Sequence, residues 1–294
     1  MTAFSFERVA IIGFGLIGSS LGRALRSHGL VREIVACDAS EEARADIAEL
    51  GLADRITADP ADAVAGADLV IICTPVGSYS ALGTAIAPHL APGAIVTDVG
   101  SVKQSVIRDL GPTIPKHAHF VPGHPIAGTE KSGPRHGFGE LFEGRWAVLT
   151  PLPDSDRAAI DKVAALWHAI GSEVVEMDAQ HHDKVLAITS HLPHLIAYTI
   201  VGTAVDLEES LQSEVVKFSA GGFRDFTRIA ASDPTFWRDV FLNNREAVLE
   251  MLQRLTEDLA ALQRAIRRGE GDFLYERFAR AREIRRGVIE AKQA

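Results

Sequence analysis

Residues 8–29, RVAIIGFGLIGSSLGRALRSHG, constrain this chain more than any other stretch. A short apolar run feeds a glycine-rich turn, and a helix-forming run leaves it. Gly13, Gly15 and Gly18 stand in G-x-G-x-x-G spacing, straight after the expected strand and opening the expected helix. In that setting each glycine has a task. The first permits the tight turn, the second lets backbone approach a pyrophosphate, and the third lets helix and strand pack closely. The helix N-terminus then faces the phosphate charge. The next apolar run, EIVACD (33–38), ends in Asp38, about twenty residues beyond the last glycine, where a carboxylate receives ribose hydroxyls. An acid there repels a 2′-phosphate, and Ala39 and Ser40 bring no cation, so the pattern predicts NAD rather than NADP. The first turn of the helix, Leu16 and Ile17 with the glycines, belongs to the expected cofactor set.

The alternation continues as parallel βαβ units require. ADLVIICTP (67–75) reads as a near-continuous apolar strand stopped by Pro75, and AIVTDVGS (94–101) as another, with a helix from about Val102. HFVPGHP (119–125) reads as the sixth strand. Ligands of such sheets bind beyond the carboxyl ends of the strands, where Thr74, Pro75, Ser101 and His124 fall. RWAVLTP (145–151) and HAIGSEVVEM (168–177) extend or close this domain, and the boundary is placed near Met177. From Asp178 onward the pattern is helical to the end. The expected architecture is an α/β Rossmann-type domain over 1–177 followed by an all-α domain over 178–294.

The 294 residues carry a net charge of −9, which argues against nucleic acid or an anionic membrane surface as the main partner. Cys37 and Cys73 are too few for a disulfide framework and fit a reducing cytosol, as small buried hydrophobes. The start MTAFSFERVAIIGFG lacks a signal-type pattern. The run VLAITSHLPHLIAYTIVGTAV (185–205) has near-spanning length but contains His191, Pro193 and His194, so it is read as a buried helix kinked at Pro193. The expected location is cytoplasmic.

Several side chains are candidates for chemistry. Pro125 holds His124 out of helical conformation, and glycines flank the loop, as turn chemistry or a fixed catalytic base requires. Ser101 and Gln104 form a candidate capping box, which leaves a ligand role for Ser101 open. Either Ser232 or Asp233 caps the helix begun by Pro234. His191 and His194 stand at a metal-compatible spacing, but no carboxylate or cysteine completes a zinc pattern, so no metal is expected. His181 and His182, at a helix start, are read as surface residues. Arg228 lies among Phe223, Phe226 and Ile229, placed either for a helix pair with Asp225 or for binding a carboxylate.

Taken together, GFGLIGSSL, DVGSVK, GHPIAGTEKSG, SHLPH and GFRDFTRIAASDPTFWRD resemble the prephenate/arogenate (cyclohexadienyl) dehydrogenase family of tyrosine biosynthesis, over nearly the whole chain. The resemblance implies an NAD-binding domain, a helical dimerisation domain and therefore a homodimer, with the active site in the cleft between the domains. It implies that His124 is the catalytic base and Ser101 its partner. By the same resemblance His194 and Arg228 bind substrate, Thr129 and Glu130 line the pocket entrance, and Trp237 lies near it. It implies oxidative decarboxylation of prephenate or L-arogenate. No chorismate mutase or ACT-type segment is seen, so any feedback by tyrosine is expected at the active site. The rival expectations are a β-hydroxyacid dehydrogenase or imine reductase using Lys184, and a non-catalytic NAD-binding sensor.

Overall fold

Strand β1 (Phe6–Ile12) divides its side chains between two buried faces, Val9 and Ile11 on one and Ala10 and Ile12 on the other. A strand apolar on both faces belongs inside a parallel sheet covered from both sides. The computed structural model, which describes residues 5–205, Glu214, Lys217 and 221–290, places it there. The other strands of its sheet are β2 (Val31–Cys37), β3 (Arg55–Thr57), β4 (Leu69–Ile72), β5 (Ile95–Asp98) and β6 (His119–Val121). They run parallel in the order β3-β2-β1-β4-β5-β6. Helices α1 (Leu16–Ser27), α2 (Glu41–Glu49), α3 (Pro60–Val64), α4 (Tyr79–Ile86) and α5 (Lys103–Leu110) make the connections. The order reverses between β1 and β4, so a ligand crevice opens beyond the ends of these two strands.

The sixth strand differs from the expectation. It ends at Val121, and Gly123–Pro125 forms a separate strand, β7, in another sheet. Pro122 brings no N–H to the ladder, while its carbonyl accepts from the Thr150 amide at 2.9 Å, so the chain changes sheets there. Strand β8 (Trp146–Leu149), helix α6 (Arg157–Ala169) and strand β9 (Glu173–Glu176) complete a three-stranded sheet in the order β7-β8-β9. These segments therefore build a second sheet instead of extending the first. Pro125 is tolerated because β7 is an edge strand.

After Asp178, which accepts the Gln180 and His181 amides, come α7 (Ala179–Leu186), a π-helical turn (Ala187–His191) and α8 (Leu192–Val205). The irregularity expected at Pro193 falls in the turn before it. Proline offers no N–H to the carbonyl four residues back and its ring crowds that carbonyl, so the ladder changes register on the N-terminal side. The apolar run is less buried than expected: Ala179–Ala204 is long and apolar enough to cross a membrane, and only 28% of its most apolar window lies inside the described chain. Its apolar residues spread around the helix, and one chain covers only one side of it. Then follow α9 (Gly221–Thr227), a 3₁₀ turn (Arg228–Ala231) and α10 (Pro234–Asn243). Of the two cap candidates Asp233 serves, accepting the Phe236 amide at 2.8 Å.

The chain divides into two compact units, Met1–Arg245 and Glu246–Ala294. The second holds most of α11 (Arg245–Arg268) and all of α12 (Gly271–Glu290). Gly269, at φ +71°, ends α11, with Gly269 donating to the Ile266 carbonyl and Glu270 to that of Ala265. This is a Schellman closure that favours glycine. Arg277 pairs with Asp258, joining the two helices.

Candidate active site

The glycine turn has the form a dinucleotide needs. Gly13 has φ +86°, and a Cβ on it would sit 2.8 Å from backbone atoms of Cys73 and Thr74. At Gly18 a Cβ would lie 2.2 Å from the Gly13 carbonyl oxygen, whereas at Gly15 it would meet nothing within 4 Å. Two glycines thus serve close packing, and the third leaves open space in front of the α1 N-terminus. Gly15 is the N-cap and offers no side chain to the first turn, so the amides at Leu16, Ile17 and Gly18 lack a side-chain cap. Asp38 accepts the Phe14 amide at 2.9 Å through Oδ2 and the Ser40 amide at 2.9 Å through Oδ1. Its carboxylate is thereby fixed beside the turn. The Thr74 hydroxyl and that of Ser78 are 2.9 Å apart after β4, and Pro75 caps the following 3₁₀ turn. Open space at Gly15, uncapped amides and a fixed carboxylate at Asp38 fit NAD.

His124 lies on β7 with 9% of its surface exposed. Its strand is anchored just upstream: the Gly123 amide donates to Asp98 Oδ1 at 3.0 Å, and Lys103 Nζ donates to the Gly123 carbonyl at 2.5 Å. Lys103 also donates to Asp98 Oδ2 at 2.5 Å, both side chains fully buried. The His124 ring is held through Nδ1, 2.9 Å from His182 Nε2. Burial holds the His124 pKa well below that of a free imidazole, and the neighbouring His182, Lys103 and His191 act in the same direction. The imidazole is therefore neutral at physiological pH.

His182 is not the surface residue expected; it is fully buried, while His181 faces solvent. His182, Asp183 and Leu186 form the inward stripe of α7, a phase that packing sets and that the single apolar Leu186 one turn on only hints at in the sequence. His182 Nδ1 lies 2.8 Å from Asp183 Oδ1. Asp183 also replaces the expected capping box. Helix α5 begins at Lys103 with Val102 at its cap position, and the Lys103 and Gln104 amides donate to the two Asp183 carboxylate oxygens at 2.7 and 2.9 Å. A carboxylate eighty residues later in sequence outcompetes a local hydroxyl because it meets both amides with full charge. Ser101 Oγ, buried, has no hydrogen-bond partner among the described residues.

The remaining predicted residues gather on the helices after Asp178. The His194 ring stacks on Trp237 with centroids 3.6 Å apart and planes at 22°, and its Nδ1 sits 2.8 Å from the Ser190 carbonyl. Burial lowers the His194 pKa, and the charge of Arg228 adds to this. Arg228 does not pair with Asp225, whose partner is Arg224; Arg228 donates to Glu130 Oε2 at 2.7 Å. Its own backbone and Arg228 hold Glu130 below the usual carboxylate range. Thr129 is exposed and accepts the Lys131 amide at 3.2 Å. Trp237 packs with Val102 and Val240, which ties α10 to the start of α5. Lys184 is exposed, on the side of α7 away from His182.

Two family models match the chain: the nucleotide-binding domain of prephenate dehydrogenase over residues 21–176, and its dimerization domain over 178–280. The chain belongs to the prephenate dehydrogenase family. Among its relatives within that family is a cyclohexadienyl dehydrogenase of Zymomonas mobilis, 43% identical over 95% of both chains. A prephenate dehydrogenase of Bacillus subtilis is 32% identical over 96% of this chain and 76% of its own. Among solved structures, prephenate dehydrogenase of A. aeolicus, in complex with hydroxyphenyl propionate and NAD+, superposes with a TM-score of 0.90 at 34% identity. It covers 98% of this chain and 100% of its own. Synechocystis arogenate dehydrogenase gives a TM-score of 0.78 at 25% identity, over 96% and 99% of the two chains.

Sequence reasoning on this prephenate dehydrogenase family member missed His182, Asp183 and Asn244. Asn244 donates to the Asp183 carbonyl at 2.8 Å and lies 3.0 Å from His191 Nδ1. Nothing local in FLNNREAV singles out Asn244.

Proposed function

We propose that the chain is an NAD-dependent dehydrogenase that oxidatively decarboxylates prephenate, L-arogenate or both, giving 4-hydroxyphenylpyruvate or L-tyrosine. The observation that carries this reading is His124: a buried, neutral imidazole anchored through Nδ1 at a strand that leaves the nucleotide-binding sheet. The nicotinamide supplies hydride acceptance. His124 accepts the proton of the C4 hydroxyl as carbonyl character develops there, and a base so positioned contributes about 10²–10⁴-fold. Ser101, whose Oγ has no partner among the described residues, donates to the same oxygen or orients the ring. Loss of carbon dioxide from C1 then leaves the bonding pair in the ring, which becomes aromatic.

Arg228 and His194 hold the side-chain carboxylate of the substrate, with Trp237 as the wall against which His194 lies. Holding the departing carboxylate instead would stabilise the ground state against its loss. Glu130 and Thr129 stand at the entrance, Glu130 occupying Arg228 until substrate arrives. Gly13, Gly15, Leu16, Ile17, Gly18, Asp38, Thr74, Pro75 and Ser101 receive the cofactor, with Asp38 choosing NAD. In this reading residues 1–177 bind the nucleotide and 178–294 bind substrate and pair two chains into a homodimer, a division supported by where the family models meet. The enzyme works in the cytoplasm, and burial, helped by Asp38, raises the Cys37 thiol to about 12, out of reach of reaction at neutral pH.

The test is initial-rate reduction of NAD by wild type and His124→Asn, with prephenate and L-arogenate offered separately. Turnover of at least one substrate is expected, falling by about a hundredfold or more in the variant with NAD affinity retained. Unchanged turnover in His124→Asn would remove His124 as the base. A rival centred on Lys184 predicts loss in Lys184→Ala instead, and the exposure of Lys184 argues against it.

A further inference from the structure

We propose that Asp183 is the positioning residue of this reaction: one carboxylate fixes the start of α5 and, through His182, decides which nitrogen of His124 carries the proton. The inference rests on the reading of His124 as the base.

The argument follows from donors and acceptors. Burial alone would raise the Asp183 pKa. The hydrogen bonds from His182 and from the Lys103 and Gln104 amides prevail and hold it low, so Asp183 is a carboxylate that only accepts. His182 Nδ1, 2.8 Å away, must therefore carry a hydrogen. His182 is neutral, its pKa lowered mainly by burial, so its Nε2 holds a lone pair. His124 Nδ1, 2.9 Å from that lone pair, must donate to it. Neutral His124 then has one nitrogen left, Nε2, and that nitrogen is bare. The chain Asp183–His182–His124 thus presents a single lone pair to the crevice. The opposite tautomer would leave two lone pairs facing each other in a buried site, with no hydrogen between them.

The proton balance closes within the site. The hydroxyl proton of the substrate moves to His124 Nε2 as hydride leaves C4, and the resulting imidazolium keeps its Nδ1–H on His182. The proton returns to the same oxygen once loss of carbon dioxide has made it a phenolate. His182 keeps its own Nδ1–H on Asp183, whose negative charge faces the new positive one along the row. The other groups around His124 are His191 from the π turn and Lys103 from α5, the latter neutralised by Asp98 on β5. Asp183 is thus the anion that favours the protonated base. Its two oxygens are also the cap of α5, the helix that Ser101 precedes. A shift of either half of the site displaces the other.

Three measurements test this. In His182→Leu, kcat is expected to fall about a hundredfold with KM for NAD unchanged, because the ring loses its anchor. His182→Gln, whose amide oxygen can accept from His124 Nδ1, is expected to recover at least a tenth of the wild-type kcat. Nitrogen-15 NMR of the wild-type histidine rings should show His124 protonated at Nδ1 and bare at Nε2, and a mixture of the two forms in His182→Leu. In Asp183→Asn the acid limb of the kcat/KM profile should move to lower pH. A wild-type His124 protonated at Nε2, or a His182→Leu enzyme within about threefold of wild type, overturns the proposal. Retained activity in His124→Asn overturns instead the reading on which it rests. The NMR measurement needs no variant and decides the matter if the substitutions unfold the chain.

Discussion

Lys103 and Asp98 face each other in complete burial, Nζ to Oδ2 at 2.5 Å, and the same ammonium donates to the Gly123 carbonyl just before His124. Burial lowers the Lys103 pKa and Asp98 works against that shift. Asp98 gathers further donors, the Gly100 amide at 2.8 Å and the Tyr79 hydroxyl at 3.4 Å. The pair therefore joins the end of the nucleotide-binding sheet to the strand that carries His124.

Removing one partner should be costly. Lys103→Met leaves Asp98 as a buried, unbalanced charge and is expected to lose about 3–5 kcal/mol of stability. Lys103→Met combined with Asp98→Asn should lose less than the single variant, since no uncompensated charge remains. Urea unfolding of the two variants and the wild type measures both. A double variant less stable than Lys103→Met would show that the ion pair is not what holds this junction.

The glycines of the turn should separate folding from binding. Gly13→Ala places a methyl 2.8 Å from the Cys73 and Thr74 backbone in a left-handed conformation and is expected to destabilise the chain by more than about 1 kcal/mol. Gly15→Ala meets open space at φ −68° and should fold normally. In the proposed cofactor site its methyl stands on the path of the pyrophosphate, so KM for NAD should rise at least tenfold, by about 1.4 kcal/mol of binding. Thermal unfolding beside NAD titration decides, and an equal loss of stability in both variants would contradict the division of roles.

The contrast between these glycines and His182 shows what the sequence exposed. Gly13, Gly15, Gly18 and Asp38 were legible because their task is set by spacing along a single strand–turn–helix. The parallel sheet was legible from apolar runs of strand length. The second sheet was not, because Pro122 redirects a run that looks continuous, and the pairing of Gly123–Pro125 with Trp146–Leu149 is a long-range choice. The cap of α5 was misassigned to Ser101 for the same reason: local rules nominate the nearest hydroxyl, while the fold delivers Asp183 from a distant helix. Which of His181 and His182 turns inward depended on the phase of α7, set by packing.

Acid should weaken this protein through its buried histidines. His191 is fully buried, and its pKa is drawn down to about 4, first by burial, with His182 and His194 acting in the same direction and Asp183 against it. In the unfolded chain the same ring titrates near ~6.5. Between these two values the unfolded chain binds a proton that the folded chain does not, so stability falls as pH drops through that window. Above about pH 7 neither state is protonated there, and this contribution is constant. His191 alone should account for about 2 kcal/mol between pH 7.5 and 5, and lowered values at His124, His182 and His194 add to it. Urea midpoints at the two pH values should fall toward acid in the wild type and less steeply in His191→Asn, which keeps an acceptor for Asn244. Parallel slopes would exclude His191 as a contributor.

The helices α11 and α12 leave large apolar side chains in solvent: Leu259, Ile266, Phe273, Tyr275, Phe278 and Ile284 are all exposed in the single chain. Exposed apolar groups in such number on one helical pair mark a surface meant to be covered. The homodimer proposed above supplies the cover, another copy presenting the same helices under twofold symmetry. Tyr275→Glu with Phe278→Glu puts two charges into that face, and burying an unpaired charge is costly enough to disfavour association. Sedimentation velocity should show a dimer for the wild type and a shift toward monomer for the double variant. A double variant that remains dimeric would place the interface on another face, with the partly open helix Leu192–Val205 as the next surface to alter.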